Sequence, residues 1–340
     1  MIDEKLAGRQ AAPRLTAFGT TQLRRLRTLR ASGLIWVLVI MCAVAALVSD
    51  AFLNPFNIIN VLRQIALFGI VSVGMTYVIL TAGIDLSVGS IVAVVAVTSA
   101  MMLDSGLPIP LVILTGLVIG VLIGAVNGLG IALGGIPPFI MTLGTMVMGR
   151  GLAMTISDGH PIHFRDEAEH FAWLGQGHFL SLPVPVWVFA LVAAAAAAGL
   201  RFTAFGRTIY AVGSNPEAAR LAGIDVRRTI FSVYLISGLL SGLTALIFVS
   251  RLTVGEPVAG VGLELEAIAI TVIGGTSLFG GEGRISGTIL GAAIVAVLAN
   301  ILNLFGVSPF TQQIVKGAII VAAVLFEIIR RRSHSASGRG

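Results

Sequence analysis

The sequence is poor in charged residues, and this scarcity bounds its class. Only 11% of the 340 residues are charged, against roughly 25% in a typical soluble domain, while 56% are hydrophobic and the mean hydropathy is +0.98. A soluble core cannot bury so much apolar sequence. The composition therefore excludes a soluble globular protein and predicts an all-α polytopic membrane protein.

Cysteine and lysine are almost absent as well. Cys42 is the only cysteine and lies in an apolar run, which excludes a disulfide framework within the chain and a thiolate metal cluster. Neither Lys5 nor Lys316 lies in a G-x-x-x-x-G-K-[ST] arrangement, so the chain has no Walker-type phosphate loop. The glycines of 274–284 match no dinucleotide fingerprint and are better interpreted as a tight turn between packed helices.

Histidines and carboxylates concentrate in one polar stretch, 158–184. These side chains are suitable metal ligands, but their spacing matches no zinc signature. We therefore expect no metal site and no cofactor in this chain. The residues concerned are Asp158, His160, His163, Asp166, Glu167, Glu169, His170 and His178.

Long apolar runs are what the sequence has in abundance. A helix needs about 20 mostly apolar residues to cross the hydrocarbon of a bilayer, and nine runs bounded by turn residues and charges are of this order. A tenth run, 262–277, is shorter and rich in glycine. Together the runs form a transmembrane domain over 33–330. The nine longer runs are 33–49, 58–81, 86–103, 109–133, 136–157, 185–201, 231–250, 286–304 and 311–330.

Arginines cluster beside the apolar runs, which indicates membrane orientation rather than nucleic-acid binding, because basic segments stay in the cytoplasm. The N-terminal arm 1–32, the segment 202–230 and the tail 331–340 are thus predicted to be cytoplasmic. An even number of crossings must separate the last two, so 262–277 should cross. We expect about ten transmembrane helices, both termini cytoplasmic, and an outer loop at 158–184. The clustered arginines are Arg24, Arg25, Arg27, Arg30, Arg207, Arg220, Arg227, Arg228, Arg330, Arg331 and Arg332.

A short capped helix is predicted within the cytoplasmic segment 202–230. Asn215 can cap it, Pro216 and Glu217 suit its first turn, and Gly223 is placed to end it in the left-handed conformation. Its alanines leave a small surface that another protein could approach closely. The alternative is a capped surface helix without a partner.

Four stretches carry a resemblance to a known family. The stretch 205–232, FGRTIYAVGSNPEAARLAGIDVRRTIFS, resembles the coupling-helix region of permease subunits of ATP-binding-cassette importers, in the branch that takes up ribose-type sugars. Three more stretches resemble segments of that family in the same order, so the resemblance covers the chain from about 33 to 330. They are TAGIDLSVGS at 81–90, GIPPFIMTLGTMVMGRGLA at 135–153 and AITVIGGTSLFGGEGRISGTILGA at 269–292.

The resemblance implies a multi-pass permease subunit of the cell (inner) membrane, not an enzyme, that pairs with a second permease subunit, most simply as a homodimer. It implies a cytoplasmic ATPase subunit, which would bind ATP and Mg²⁺, and an external solute-binding protein. The transported solute would be a monosaccharide. By resemblance, the residues that dock on the ATPase are Gly213, Asn215, Glu217, Ala218, Ala219 and Gly223.

Polar residues near the apolar runs could line a route for a hydroxylated solute. Asp85 lies in a break between two runs, where it could cap the following helix with help from Ser87 or serve in the pore or its gate. Both roles are compatible if the helix breaks inside the protein. The other residues could instead snorkel to the interface or bond a neighbouring helix. The candidates are Asp85, Asn127, Arg63, Gln64, Glu264 and Glu266.

Three alternative functions remain open at this point. A permease for branched-chain amino acids shares the general layout but matches TAGIDLSVGS less well. An ion-coupled secondary transporter would need carboxylates deep in broken helices, and such residues are scarce here. A membrane-embedded enzyme would need a nucleophile, base or metal cluster in the spans, and none is evident.

Overall fold

A computed structural model gives the fold of residues 17–164 and 169–337, a part of the chain that contains thirteen helices and four two-residue strands. The helices are α1 (Ala17–Val48), α2 (Pro55–Leu80), α3 (Val88–Asp104), α4 (Ile109–Ala132), α5 (Pro138–Ser157), α6 (Glu169–Gln176), α7 (Val184–Phe202), α8 (Ala204–Ser214), α9 (Pro216–Leu221), α10 (Val226–Leu252), α11 (Leu263–Ile273), α12 (Ile285–Leu304) and α13 (Pro309–Ser337). The strands are β1 (Ile162–His163), β2 (His178–Phe179), β3 (Leu182–Pro183) and β4 (Val254–Gly255); β1 pairs antiparallel with β4, and β2 with β3.

Six of the described helices are long and apolar enough to cross a membrane, namely α2, α4, α5, α7, α10 and α12. Gly33–Val48 of α1 and the whole of α3 are shorter apolar helices. Apolar side chains such as Leu114, Val118 and Leu122 lie exposed along one face of α4, as expected where lipid replaces water. The predicted all-α polytopic class is therefore confirmed.

Capping residues set where two spans begin. α2 begins at Pro55 rather than at 58, because the Asn54 side chain accepts a hydrogen bond in its first turn. α10 begins at Val226 rather than at 231, because Asp225 Oδ1 accepts from a backbone N–H of the first turn at 3.0 Å. Of the predicted terminal arms, residues 1–16 and 338–340 lie outside the described residues, as do Arg165, Asp166 and Glu167 of the predicted outer loop.

The core is centred on α2, α3 and α10. Val71, Met75 and Ile79 of α2 pack with Val92 of α3 and Leu246 of α10 in one buried cluster. α3 is buried over most of its length, which explains why a helix of 17 residues is stable between longer neighbours.

Glycines bring α4 and α10 into backbone contact. A Cβ at Gly120 would lie 2.3 Å from the Gly238 carbonyl oxygen, and a Cβ at Gly124 would lie 2.4 Å from that of Tyr234. Real Cβ atoms do not approach an oxygen so closely, so only glycine fits. Small residues at helix interfaces are the usual means of close packing in a membrane.

Two pairs of helices are interrupted inside the protein. The first break, residues 81–87, separates α2 from α3, and the second break, residues 274–284, separates α11 from α12. α11 has 11 residues, so it is about 16 Å long, roughly half the thickness of a bilayer core. An irregular segment, 254–262, leads into α11 along α3, with Gly255 against Ala96 and Gly260 against Gly89.

We predict that Gly120→Ala lowers the thermal stability of the protein in detergent. The added methyl must push α4 and α10 apart, at a typical cost of about 1–3 kcal/mol. The measurement is the loss of the monodisperse size-exclusion peak after heating. The matched control is Gly144→Ala, because a Cβ there meets nothing within 4 Å and alanine is the better helix former by about 1 kcal/mol. Equal melting of the two variants would contradict the packing argument.

Candidate functional site

The predicted capped helix is confirmed as α9. The Asn215 side chain accepts a hydrogen bond from the Ala218 backbone N–H at 3.0 Å, Pro216 occupies the first position, and Gly223 has φ +81° after the end of the helix. Asn215 also ends the preceding helix α8, which the sequence analysis missed. α8 and α9 are therefore joined at a single residue, and we refer to the two helices together as the α9 unit.

The six residues assigned to ATPase docking face different ways. Asn215, Glu217, Ala218 and Gly223 are exposed and form the outer surface of the α9 unit. Within the chain, Leu221 adds an apolar side chain that is 90% exposed, which the sequence analysis did not single out.

Gly213 and Ala219 are instead buried. Ala219 packs with Val212 and Val226 in a small cluster that holds α9 against α8 and α10. Gly213 lies against the Leu80 carbonyl oxygen. In this fold these two residues support the α9 unit from within.

Asp85 lies at the centre of a buried polar network in the first break. The residue is 0% exposed. Its Oδ1 accepts hydrogen bonds from the Ser87 backbone N–H at 3.0 Å and hydroxyl at 2.6 Å, and its Oδ2 accepts from the Ser237 hydroxyl at 2.7 Å. A buried carboxyl group is costly unless it is hydrogen-bonded, and both of these oxygens are.

The network continues through Asn127 into two further helices. Asn127 Nδ2 donates to the Ser87 hydroxyl at 2.8 Å, and its Oδ1 accepts from the Thr145 hydroxyl at 2.6 Å. Together with Asp85 and Ser237, these bonds tie the first break to α4, α5 and α10. Of the two roles left open for Asp85, the cap position of α3 is occupied by Ser87 instead. Asp85 accepts from the Ser87 backbone N–H just before the helix begins.

A cavity of about 1450 Å³ lies between the N-terminal half of α2, the first turn of α11, the C-terminal end of α12 and the start of α13. Its wall contains amide, carboxylate and cationic side chains as well as apolar ones. The polar lining residues are Asn57, Asn60, Gln64, Thr244, Arg251, Glu256, Glu264, Glu266, Asn300, Asn303, Gln313 and Lys316.

Three of the six residues assigned to a translocation path line this cavity, namely Gln64, Glu264 and Glu266. Asp85 and Asn127 belong to the buried network instead. Arg63 donates to the Gln176 carbonyl oxygen at 2.9 Å and lies beside His178. The structure thus brings half of the set together.

The amides of the cavity wall were not among the residues predicted from the sequence, although a helical pattern marks them. Asn57, Asn60 and Gln64 recur at spacings of three and four, which places them on one face of α2. Asn300 and Asn303 do the same on α12. Asn57 and Asn300 hydrogen-bond each other in both directions, at 3.0 and 2.6 Å, so the two helices are joined by these amides at the cavity wall.

The charges of the cavity nearly balance. Three carboxylates and two cations line it, namely Glu256, Glu264, Glu266, Arg251 and Lys316, and Lys316 pairs with Glu266. Such a wall offers hydrogen-bond donors and acceptors without a strong net field, which suits a neutral polar solute better than an ion.

Arg150 of α5 holds the irregular segment 254–262, part of which lines the cavity. Its guanidinium donates to the Ala259 carbonyl oxygen at 2.8 Å and to that of Pro257 at 3.2 Å, and Glu264 lies near enough to interact with its charge. The sequence carried a signal for this role, an arginine inside an apolar run, since such residues are rare in spans and are usually functional or paired.

The histidines of the stretch 158–184 form no metal cluster in the described part of the chain. Within 17–164 and 169–337, no group of three or more His, Cys, Asp or Glu side chains is arranged to hold an ion.

Comparison with known proteins identifies the family. A family model described as the branched-chain amino acid transport system / permease component matches residues 57–324. The chain belongs to this family. It is a multi-pass protein of the inner membrane, and the resemblance carried by the four stretches is confirmed.

Individual relatives in this family have sugar-related names. The chain is 46% identical to the ribose import permease protein RbsC of Haemophilus influenzae, over 85% of this chain and 90% of the relative. It is 43% identical to RbsC of Escherichia coli, over 85% and 91%, and 37% identical to the L-arabinose transport system permease protein AraH of Escherichia coli, over 88% and 91%. No solved structure gives a significant match.

We predict that Asp85→Ala destabilises the protein by about 1–3 kcal/mol, because the Ser87 and Ser237 donors lose their buried acceptor. The measurement is the melting temperature in detergent. Adding Ser237→Ala to Asp85→Ala should lower it little further, because the two residues share one interaction.

The control for this prediction is Asp104→Ala, which removes an exposed carboxylate at the other end of α3 and should leave the melting temperature nearly unchanged. An Asp85→Ala protein as stable as the wild type, or full additivity with Ser237→Ala, would show that the network does not hold the first break.

Proposed function

We propose that this chain is the permease subunit of an ATP-binding-cassette importer that translocates a monosaccharide, ribose or a related sugar, across the cell membrane. The observation that carries the proposal is identity of 43–46% with ribose import permeases over 85% of the chain. The near-neutral, amide-lined cavity supports it, because sugars are bound through hydrogen bonds rather than through charge. The chain itself binds no nucleotide, and ATP and Mg²⁺ belong to a partner ATPase.

The proposed topology has ten membrane passes with both termini in the cytoplasm. Exposed arginines on the α8–α10 side, including Arg207, Arg220 and Arg227, support a cytoplasmic position for α9. The contacts of Gly255 with Ala96 and of Gly260 with Gly89 support a tenth pass built from the irregular segment 254–262 followed by α11.

The ATPase subunit docks on α9 in this proposal. The exposed face of α9 presents an exposed Glu217–Arg220 ion pair together with Ala218 and Leu221. This combination of paired charges, a small residue and an apolar anchor suits a protein contact. A second copy of the permease and an external solute-binding protein complete the importer. ATP binding and hydrolysis in the partner would switch the two copies between outward- and inward-facing states.

The sugar passes through the cavity near Gln64, Glu264 and Glu266 in this proposal. These residues lie at the point where α2 faces the first turn of α11, and irregular backbone beside them is the kind tolerated in a membrane where it lines a polar space. Asp85, Asn127 and Arg63 act as supports of this path from outside the cavity.

A second candidate substrate is a branched-chain amino acid, favoured by the description of the matching family. A zwitterionic amino acid would need matched charges in its site, and the carboxylates and cations of the cavity supply both signs. Competition separates the two candidates: unlabelled ribose should suppress uptake of labelled pentose, whereas leucine should not.

We predict that proteoliposomes take up labelled pentose only when this chain, an ATPase subunit, a solute-binding protein and ATP are all present. Ala218→Trp or Glu217→Lys should lower uptake by about tenfold or more, because either change disrupts a central contact of the α9 surface. The same variants should lose co-purification of the ATPase subunit.

The control is Ala51→Trp, an equally bulky change at an exposed alanine in the loop between α1 and α2, which should leave ATPase assembly intact. Uptake by this chain alone, driven by an ion gradient, would instead establish a secondary transporter. Normal assembly and uptake with Ala218→Trp would remove α9 as the docking element.

We predict further that Gln64→Leu lowers the efficiency of sugar uptake about tenfold, the usual effect of losing one hydrogen bond in a binding site. The measurement is the concentration dependence of uptake in the reconstituted importer. Gln64→Asn keeps the amide on a shorter side chain and should retain more of the activity. Equal uptake by Gln64→Leu and the wild type would place the path elsewhere.

A further inference from the structure

The two breaks meet at one point beneath the α9 unit. The Gly281 backbone N–H in the second break donates to the Leu80 carbonyl oxygen, at the edge of the first break, at 2.9 Å. Gly280 has φ +82°, and a Cβ there would lie 2.9 Å from the Ala82 nitrogen. The interruptions of α2–α3 and of α11–α12 are therefore in direct backbone contact, and movement of one displaces the other.

The last turn of α8 lies against this contact. A Cβ at Gly213 would lie 1.8 Å from the Leu80 carbonyl oxygen and 2.6 Å from the Gly281 nitrogen. Three residues earlier, the Tyr210 hydroxyl donates to the Gly283 carbonyl oxygen at 2.9 Å. α8 thus touches both breaks, through its backbone at Gly213 and through the Tyr210 side chain.

On its other side, α8 is joined to α9 by Asn215 alone, which ends one helix and caps the next. The buried contact of Ala219 with Val212 fixes the angle between the two helices. A force applied to α9 therefore reaches Gly213 without passing through a loop.

Each break leads onward to a different part of the membrane domain. The first break holds Asp85, whose hydrogen bonds reach α10 through Ser237 and α4 through Ser87 and Asn127. The second break follows the C-terminal end of α11, and the first turn of that helix lines the cavity.

We propose that Gly213 is a positioning residue whose contact with Leu80 and Gly281 is the joint through which movement of α9 reaches both broken helices at once. The inference rests on the proposed function, because it assigns the route by which the ATPase acts on the path. Gly213 touches neither the sugar nor the ATPase in this assignment. A larger side chain at position 213 would separate α8 from the breaks and leave the docking surface of α9 in place.

The test is Gly213→Ala in the complete importer in proteoliposomes, with uptake and ATP hydrolysis measured together. The ATPase subunit should assemble and hydrolyse ATP as in the wild type, while the sugar transported per ATP falls about tenfold, within the usual range of coupling energies. Gly33→Ala is the matched control, since a Cβ there meets nothing within 4 Å, and its ratio should equal that of the wild type.

A second variant covers the case in which Gly213→Ala does not fold. Tyr210→Phe keeps the ring and removes the donor to the Gly283 carbonyl oxygen, so the transport ratio should fall about fivefold, as expected for one hydrogen bond. If the Gly213→Ala importer assembles and transports as much sugar per ATP as the wild type, the proposal that Gly213 is the joint is overturned. If Gly213→Ala does not assemble, a wild-type ratio of sugar to ATP in Tyr210→Phe overturns it. Absence of ATP-driven uptake in the wild type would instead overturn the proposed function.

Discussion

Backbone polar groups inside a membrane must find partners within the protein, and the two breaks of this chain are where that constraint is hardest to meet. The breaks satisfy it partly with each other, through the bond from the Gly281 N–H to the Leu80 carbonyl oxygen. Buried side chains supply further partners: the Ile84 carbonyl oxygen accepts from the Thr142 hydroxyl at 3.2 Å and from that of Tyr234 at 3.4 Å. The arrangement of α3, α5, α10 and α12 around the breaks depends on these bonds.

Close backbone packing is the second means by which the fold is held. Hydrophobic burial drives little helix association in lipid, so contact distance and hydrogen bonds matter more. Gly120 and Gly238 bring α4 against α10, and Gly274 and Gly287 do the same where α11 turns into α12. The same property, glycine against backbone, occurs at Gly213. There it joins the α9 unit to the breaks. Contact between glycine and backbone therefore serves both stability and the proposed transmission of movement.

The polar residues of the buried network and those of the cavity have different roles. Asp85 and Asn127 have their hydrogen-bonding groups engaged by neighbouring side chains, which suits a part that must keep its shape. The cavity wall also holds paired groups, the Asn57–Asn300 amides and Lys316–Glu266, beside amides such as Asn60 and Gln64, and in the proposed function these line the route of a hydroxylated solute. An importer of the proposed kind needs both, a rigid frame around the breaks and an adaptable wall beside α11.

The sequence by itself determined the features that depend on local chemistry. Apolar run length identified the six helices that are long enough to cross a membrane, and Asn215, Pro216 and Gly223 identified α9, because caps and helix stops act over a few residues. Four ordered stretches identified the family. The starts of α2 and α10 were placed several residues late, since capping by Asn54 and Asp225 was not weighed against hydropathy.

Only the tertiary structure decided which residues meet. Asp85 lies three positions before the first residue of α3, close enough to suggest a cap, yet its partner Ser237 lies 152 residues away, and no local pattern reports such a contact. Gly213 and Ala219 occur in the same motif as Glu217 and Ala218, but Gly213 is buried where α8 packs on the breaks, and Ala219 is buried where α9 packs on α8 and α10. The cavity likewise gathers Gln64, Glu264 and Lys316 from three helices, because side chains distant in sequence become neighbours only when the helices pack.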